Sequence, residues 1–84
     1  MKFDDLLEDE ISNFYKLISS NVKRIRLEKN MTQLDLALAI GHKSAALIAK
    51  AETDTYDKHF NIEHLYRISK ILDIDICEFL KSNT

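Results

Sequence analysis

The sequence predicts an all-α fold, and three observations carry that prediction. Among 84 residues there is one glycine and no proline, so little interrupts a helix and few residues mark the tight turns that strands need. Apolar residues recur at Phe3, Leu7, Ile11, Phe14, Ile18, Val22 and Ile25, steps of three and four that draw one stripe along a helix. Helix-start and helix-stop residues then follow in order: Thr32 with Asp35, Gly41, Ser44 and Asn61. A chain of this length makes one small domain near the lower limit for a core of its own, a limit that a second copy would relieve.

The first helix is expected from Asp5 to Lys29, with Asp4 and Asp5 at the positive end of its dipole. Ser19-Ser20-Asn21 are poor interior residues and natural caps, so this is the one place where the helix is open to a break. Phe3, Leu6, Leu7, Ile11, Phe14, Tyr15 and Leu17 present more apolar surface than one helix edge usually buries. Two readings of residues 1–18 stand side by side: a longer helix packing on its own domain, or a dimerisation arm.

A second helix starts at Gln33, where Thr32 and Asp35 approximate a capping box, and turns Leu36, Ala37 and Ile40 inward. Gly41 stops it, because glycine takes the positive φ of a helix end at no steric cost. Ser44 is placed to cap a third helix, Ala45 to Glu52, with Ile48 and Ala51 inward and Leu47 at the edge. Leu34 and Leu38 share the outer side of the second helix, a possible landing site for the extension of the same or a partner subunit. Asn61 caps a fourth helix, Ile62 to Leu72, with Ile62, Leu65, Ile68, Ile71 and Leu72 inward, and Asp73 ends it. Asp75 with Glu78 caps a last short helix from Ile76 to about Lys81. Its surroundings, Ile74, Ile76, Phe79 and Leu80, either close the core or meet a second copy.

In their order, Gln33, Leu36-Ala37, Gly41, Ser44, Ile48 and Glu52 resemble the helix-turn-helix of the Cro-type phage-repressor family, also called the XRE family, over about Ser19 to Leu80. The resemblance implies a five-helix repressor-like DNA-binding domain, residues 19–81, behind an N-terminal helical extension, residues 1–18. It implies a homodimeric transcriptional regulator on double-stranded DNA, or an antitoxin-like module of the same fold whose main partner is a protein. Carried over by position, Gln33 binds a phosphate. The reading positions of the third helix are Ala45, Ala46 and Lys50, with Ala49 beside them and Ser44 as their cap. Lys43 and Lys58 flank them on phosphates, and Arg26 with Glu52 forms a structural ion pair. Alanine offers a base edge only its methyl, which suits thymine, whereas Lys50 has hydrogens to donate to guanine O6 and N7 or to a phosphate. Discrimination is therefore expected to be modest per contact and to lean on Lys50, methyl packing and DNA shape.

Two departures from the family pattern are visible. The turn between Gly41 and Ser44 holds one residue more than is common. The loop TDTYDKHF after Glu52 is about two residues longer, with Asp54 where a glycine is frequent and a different path expected. Tyr56, Lys58 and His59 either anchor the fourth helix to phosphate or lie in a solvated loop.

Charge and motif content exclude several classes. The net charge of −2 is uneven: Lys2 and Lys16 against Asp4, Asp5, Glu8, Asp9 and Glu10 leave residues 1–18 at −3, and the remainder is at +1. Nothing approaches the roughly 18 apolar residues of a membrane span, and the acidic N-terminus is unlike a signal peptide, so a cytoplasmic protein with no membrane partner is expected. A single Cys77 rules out an internal disulfide and leaves either a thiol activated by the helix dipole or a small buried residue. There is no phosphate-cradling glycine loop and no paired cysteine motif. His59 and His64 stand five apart and His42 reads as turn filler, so no catalytic residue, metal or cofactor is expected.

Overall fold

The computed structural model describes residues 3–53 and 58–82, with side chains from Leu7 onward. The element order is α1 (Phe3–Glu28), α2 (Gln33–Ala39), α3 (Ala46–Glu52), α4 (Ile62–Leu72) and a 3₁₀ helix (Ile76–Leu80), and no strand occurs among the described residues. The fold is all-helical as expected, but the fifth helix of the expectation is a single 3₁₀ segment. Asp75 starts it by accepting from the backbone N–H of Cys77.

No break occurs in α1 at Ser19-Ser20-Asn21. The polar groups that argued for one are used across the fold instead. The Ser19 hydroxyl donates to the carbonyl of Ala51 at 2.7 Å. Asn21 Nδ2 donates to the carbonyls of Phe79 at 2.8 Å and Lys81 at 2.9 Å. Each satisfies carbonyls that a buried chain end would otherwise leave unpaired, and together they tie the end of α3 and the C-terminal segment to α1.

Three of the four α-helix stops share one geometry. Asn30, Gly41 and Asp73 all have positive φ. After each, the next backbone N–H reaches back five residues: Met31 to Arg26, His42 to Ala37, Ile74 to Ser69. This is the Schellman closure. Only Gly41 uses the residue best suited to it, and at a φ of 95° it lies furthest from what a side chain tolerates.

The core is a single cluster. Ile18, Val22 and Ile25 of α1 meet Leu36 and Ala37 of α2, Ile48 and Ala51 of α3, Leu65, Ile68 and Leu72 of α4, and Phe79. Each fully buried large side chain contributes about 1.5–3 kcal/mol. Two inward expectations on α4 fail. Its buried line is Leu65, Ile68, Ser69 and Leu72. Ile71 lies about a third of a turn off that line, and Ile62, in the first turn, is 76% exposed. Leu80 also points outward, leaving Phe79, with the half-buried Ile76 packed against the same cluster, to close the core from the 3₁₀ segment.

Candidate nucleic-acid interface

The α2–turn–α3 unit is set by local signals. Thr32 accepts from the N–H of Asp35, and the Asp35 carboxylate accepts from the N–H of Thr32, a complete capping box. These bonds hold the Asp35 carboxyl below the usual carboxylate range. At the other end of α2, Arg67 of α4 donates from Nη1 to the carbonyl of Ile40 at 3.3 Å, a contact that local reading of α2 had no means to anticipate.

One boundary differs from expectation. Ser44 sits one place short of the cap position. Its hydroxyl accepts only from Ala46 N–H at 3.4 Å, Ala45 occupies the cap with helical backbone angles, and α3 begins at Ala46.

α3 has two unlike sides. Ile48, Ala51 and Glu52 are buried, whereas Ala46 and Lys50 are exposed and Ala45 and Ala49 are half-exposed. No described residue covers the outer side. Lys43 and Ser44 are exposed just before it, and Lys58 is exposed in the α3–α4 connection. Asp54 and Tyr56 lie outside the described residues.

Behind this surface Arg26 and Glu52 make a buried two-pronged pair, Nε to Oε2 at 2.7 Å and Nη2 to Oε1 at 3.0 Å. Arg26 also donates to the carbonyl of Met31. The same Glu52 Oε1 accepts from Gln33 Nε2 at 3.2 Å. One carboxylate thereby joins α1, the first residue of α2 and the last residue of α3. It also holds the Gln33 amide by one of its two hydrogens and leaves the second for an outside acceptor.

The histidines lie elsewhere than the sequence suggested. His42 is more than turn filler: its ring meets that of His64 edge-on at 5.8 Å. His64 Nδ1 accepts from the N–H of Asn61, completing the cap of α4. Burial first, then His42, lowers its pKa. His59 stacks on Tyr15 at 3.7 Å. Cys77 is exposed, which removes the reading of a small buried residue. The Asp75 carboxylate beside it raises its pKa, opposite to activation by a helix dipole. No group of three or more metal-ligating side chains occurs among the described residues, and no helix described is long and apolar enough to cross a membrane.

A capped helix, a glycine-closed turn and a second helix with its outer side bare define a helix-turn-helix protein. A family model described as Helix-turn-helix matches residues 22–79, more than half of the chain, and the protein belongs to this XRE/Cro-type family of DNA-binding regulators. No curated protein and no solved structure matches the chain significantly.

Proposed function

We propose that this protein is a sequence-specific DNA-binding transcriptional regulator acting as a homodimer on a palindromic operator. The observation that carries the reading is the outer side of α3, where Ala46 and Lys50 stand exposed and Ala49 half-exposed among the described residues, while the opposite side is locked into the core. Lys50 donates to a base edge or phosphate, and the alanine methyls pack against thymine methyls. Gln33, steadied by Glu52, directs its second amide hydrogen to a phosphate and sets the register, with Lys43 and Lys58 on flanking phosphates. A two-fold dimer sets its two α3 helices about 34 Å apart, one turn of DNA.

Selection of bound duplexes from a random pool tests this directly. The expected result is an enriched inverted repeat whose binding is lost in Lys50→Glu and weakened in Gln33→Ala. A pool that stays random after repeated rounds, with the protein folded, would overturn sequence reading.

A second reading, a protein-binding module with DNA binding secondary, is favoured by bare apolar residues away from α3: Ile11 and Phe14 on α1, Leu34 and Leu38 on α2. Stable co-purification with a partner, together with failure to shift any duplex at low salt, decides for it.

A further inference from the structure

Among the described residues, a second place beside the surface of α3 gathers two cations. Where the middle of α1 meets the end of α3, Lys16, Ser19, Ser20, Lys23, Glu52 and Thr53 line an open groove of about 470 Å³. The lysines stand one helical turn to either side of Ser20, both exposed, and neither makes an ion pair or hydrogen bond with a described residue. Three other surface cations are answered by an acid within a helical turn: Arg24 by Glu28, Arg67 by Glu63 and Lys81 by Glu78. Around Lys16 and Lys23 the positions three and four away hold Ser12, Asn13, Ser19, Ser20, Arg26 and Leu27, with no carboxylate.

The groups here that would most repel an anion are largely engaged within the fold. The Glu52 carboxylate is fully buried against Arg26. Three of the carbonyls in the last turn of α3 accept from side chains, Ala51 from the Ser19 hydroxyl and Ala49 and Lys50 from that of Thr53. What faces outward is two ammonium groups and the Ser20 hydroxyl, a donor set for phosphate oxygens and not for a base edge.

Its location gives the groove a use. Arg26 lines the opening beside Gln33 and Ala45, at the start of α3, and Glu52 lines this one, at the end of α3. Seven residues of helix rise about 10 Å, close to the width of the DNA major groove, about 12 Å. A helix of that length lying across the groove brings its two ends to opposite backbones.

We infer that Lys16, Ser20 and Lys23 form a second phosphate clamp, gripping the DNA backbone on the side of α3 opposite to Gln33. The inference rests on the DNA-binding reading and adds to it a contact from α1, part of which lies in the N-terminal extension.

The test is the salt dependence of binding to a random-sequence duplex by the full chain, wild type against Lys16→Ala/Lys23→Ala, with Lys70→Ala/Lys81→Ala as a control of equal charge. Each phosphate contact adds about 0.9 to the slope of log affinity against log salt. Wild-type affinity should therefore fall about tenfold more than that of the clamp variant between 50 and 200 mM salt, and the control should follow wild type. Thermal unfolding confirms that both variants are folded. A clamp variant with the slope of the control overturns the inference and leaves DNA binding standing, whereas a wild type that binds no duplex even at low salt removes both. Titration with inorganic phosphate, followed by the amide signals of Ser20 and Thr53, distinguishes a free anion: saturation there with an unchanged salt slope reassigns the groove and also overturns the backbone contact.

Discussion

From Ile18 to Ile25 the apolar stripe of α1 is buried against α3 and the 3₁₀ helix, while from Leu7 to Phe14 the same stripe lies partly in the open. Spacing does not distinguish the halves, and neither does helix formation, since α1 runs unbroken through both. What differs is what arrives from later in the chain. Ala51 and Phe79 come to the second half, and Ser19 and Asn21 bond their carbonyls. Among the described residues, the His59 ring reaches α1 at the border of the two halves, where it stacks on Tyr15. Periodicity thus reports that a helix has a face, and tertiary partners decide whether that face is covered.

The largest expected effect lies on the covered half. Arg26→Ala leaves the Glu52 carboxylate buried and unpaired and is expected to cost about 3–5 kcal/mol, read by chemical denaturation. Arg24→Ala, two residues away but facing solvent with Glu28, should cost at most about 1 kcal/mol. Equal losses would mean that the pair is not buried as described. Next comes packing: Ile25→Ala should cost about 2–5 kcal/mol, whereas Ile11→Ala, 51% exposed, should stay within about 0.5 kcal/mol. A large loss at Ile11 would show that the first half is covered after all, by a second copy. Asn21→Ala should fall below these at about 1–3 kcal/mol, because it strands the carbonyls of Phe79 and Lys81. Its diagnostic is faster hydrogen exchange confined to the C-terminal segment.

These contrasts also mark what was legible in the chain. The bounds of α2 and α4 could be read from Thr32, Asp35, Gly41, Asn61 and Asp73 because capping and stopping are settled within a few residues of each helix end. Ser19 and Asn21 left a break open within an expected continuous helix because their partners lie 32 and 58 residues away. A polar residue inside a helix looks like a break until its distant acceptor is known. Ile62 and Ile71 were misplaced for a related reason: apolar identity does not say how wide a stripe the rest of the fold covers, and Ser69 occupies part of it. At the candidate interface the outer residues of α3 were nameable from their positions, but the bond from Gln33 to Glu52 and the meeting of His42 with His64 depend on how the helices pack.

A smaller effect is expected where a cap titrates. His64 must be neutral at Nδ1 to accept from Asn61, and burial and His42 lower its pKa from the ordinary value of 6.5. The folded state therefore holds fewer protons than the unfolded one just below that value. The contribution is fully present above pH 6.5 and is lost as pH falls through the lower folded pKa. Glu63 opposes this shift and Arg67 reinforces it. Melting temperature should fall from pH 7 to pH 5 more in wild type than in His64→Gln, whose amide oxygen still accepts from Asn61 but does not titrate. Parallel curves for the two proteins would remove His64 from the account.

The smallest effect on stability, and the sharpest test of the contrast within α1, comes from removing the open half. Deleting residues 1–14 takes away Ile11 and Phe14 and leaves Tyr15 on His59 and the whole covered stripe from Ile18. If the open half serves nothing within its own domain, melting at low protein concentration should shift by no more than exposed surface residues usually do, about 0.5 kcal/mol. Should the arm join two copies, sedimentation at higher concentration would give the shortened chain a monomer's mass and the full chain a dimer's. The acids Glu8, Asp9 and Glu10 add a second readout: arms that pair with each other set like charges face to face, so their association should tighten as salt screens that repulsion. Tightening with salt in the full chain, absent from the shortened one, places the missing cover of α1 on a second α1, whereas equal masses at every salt concentration leave the arm free.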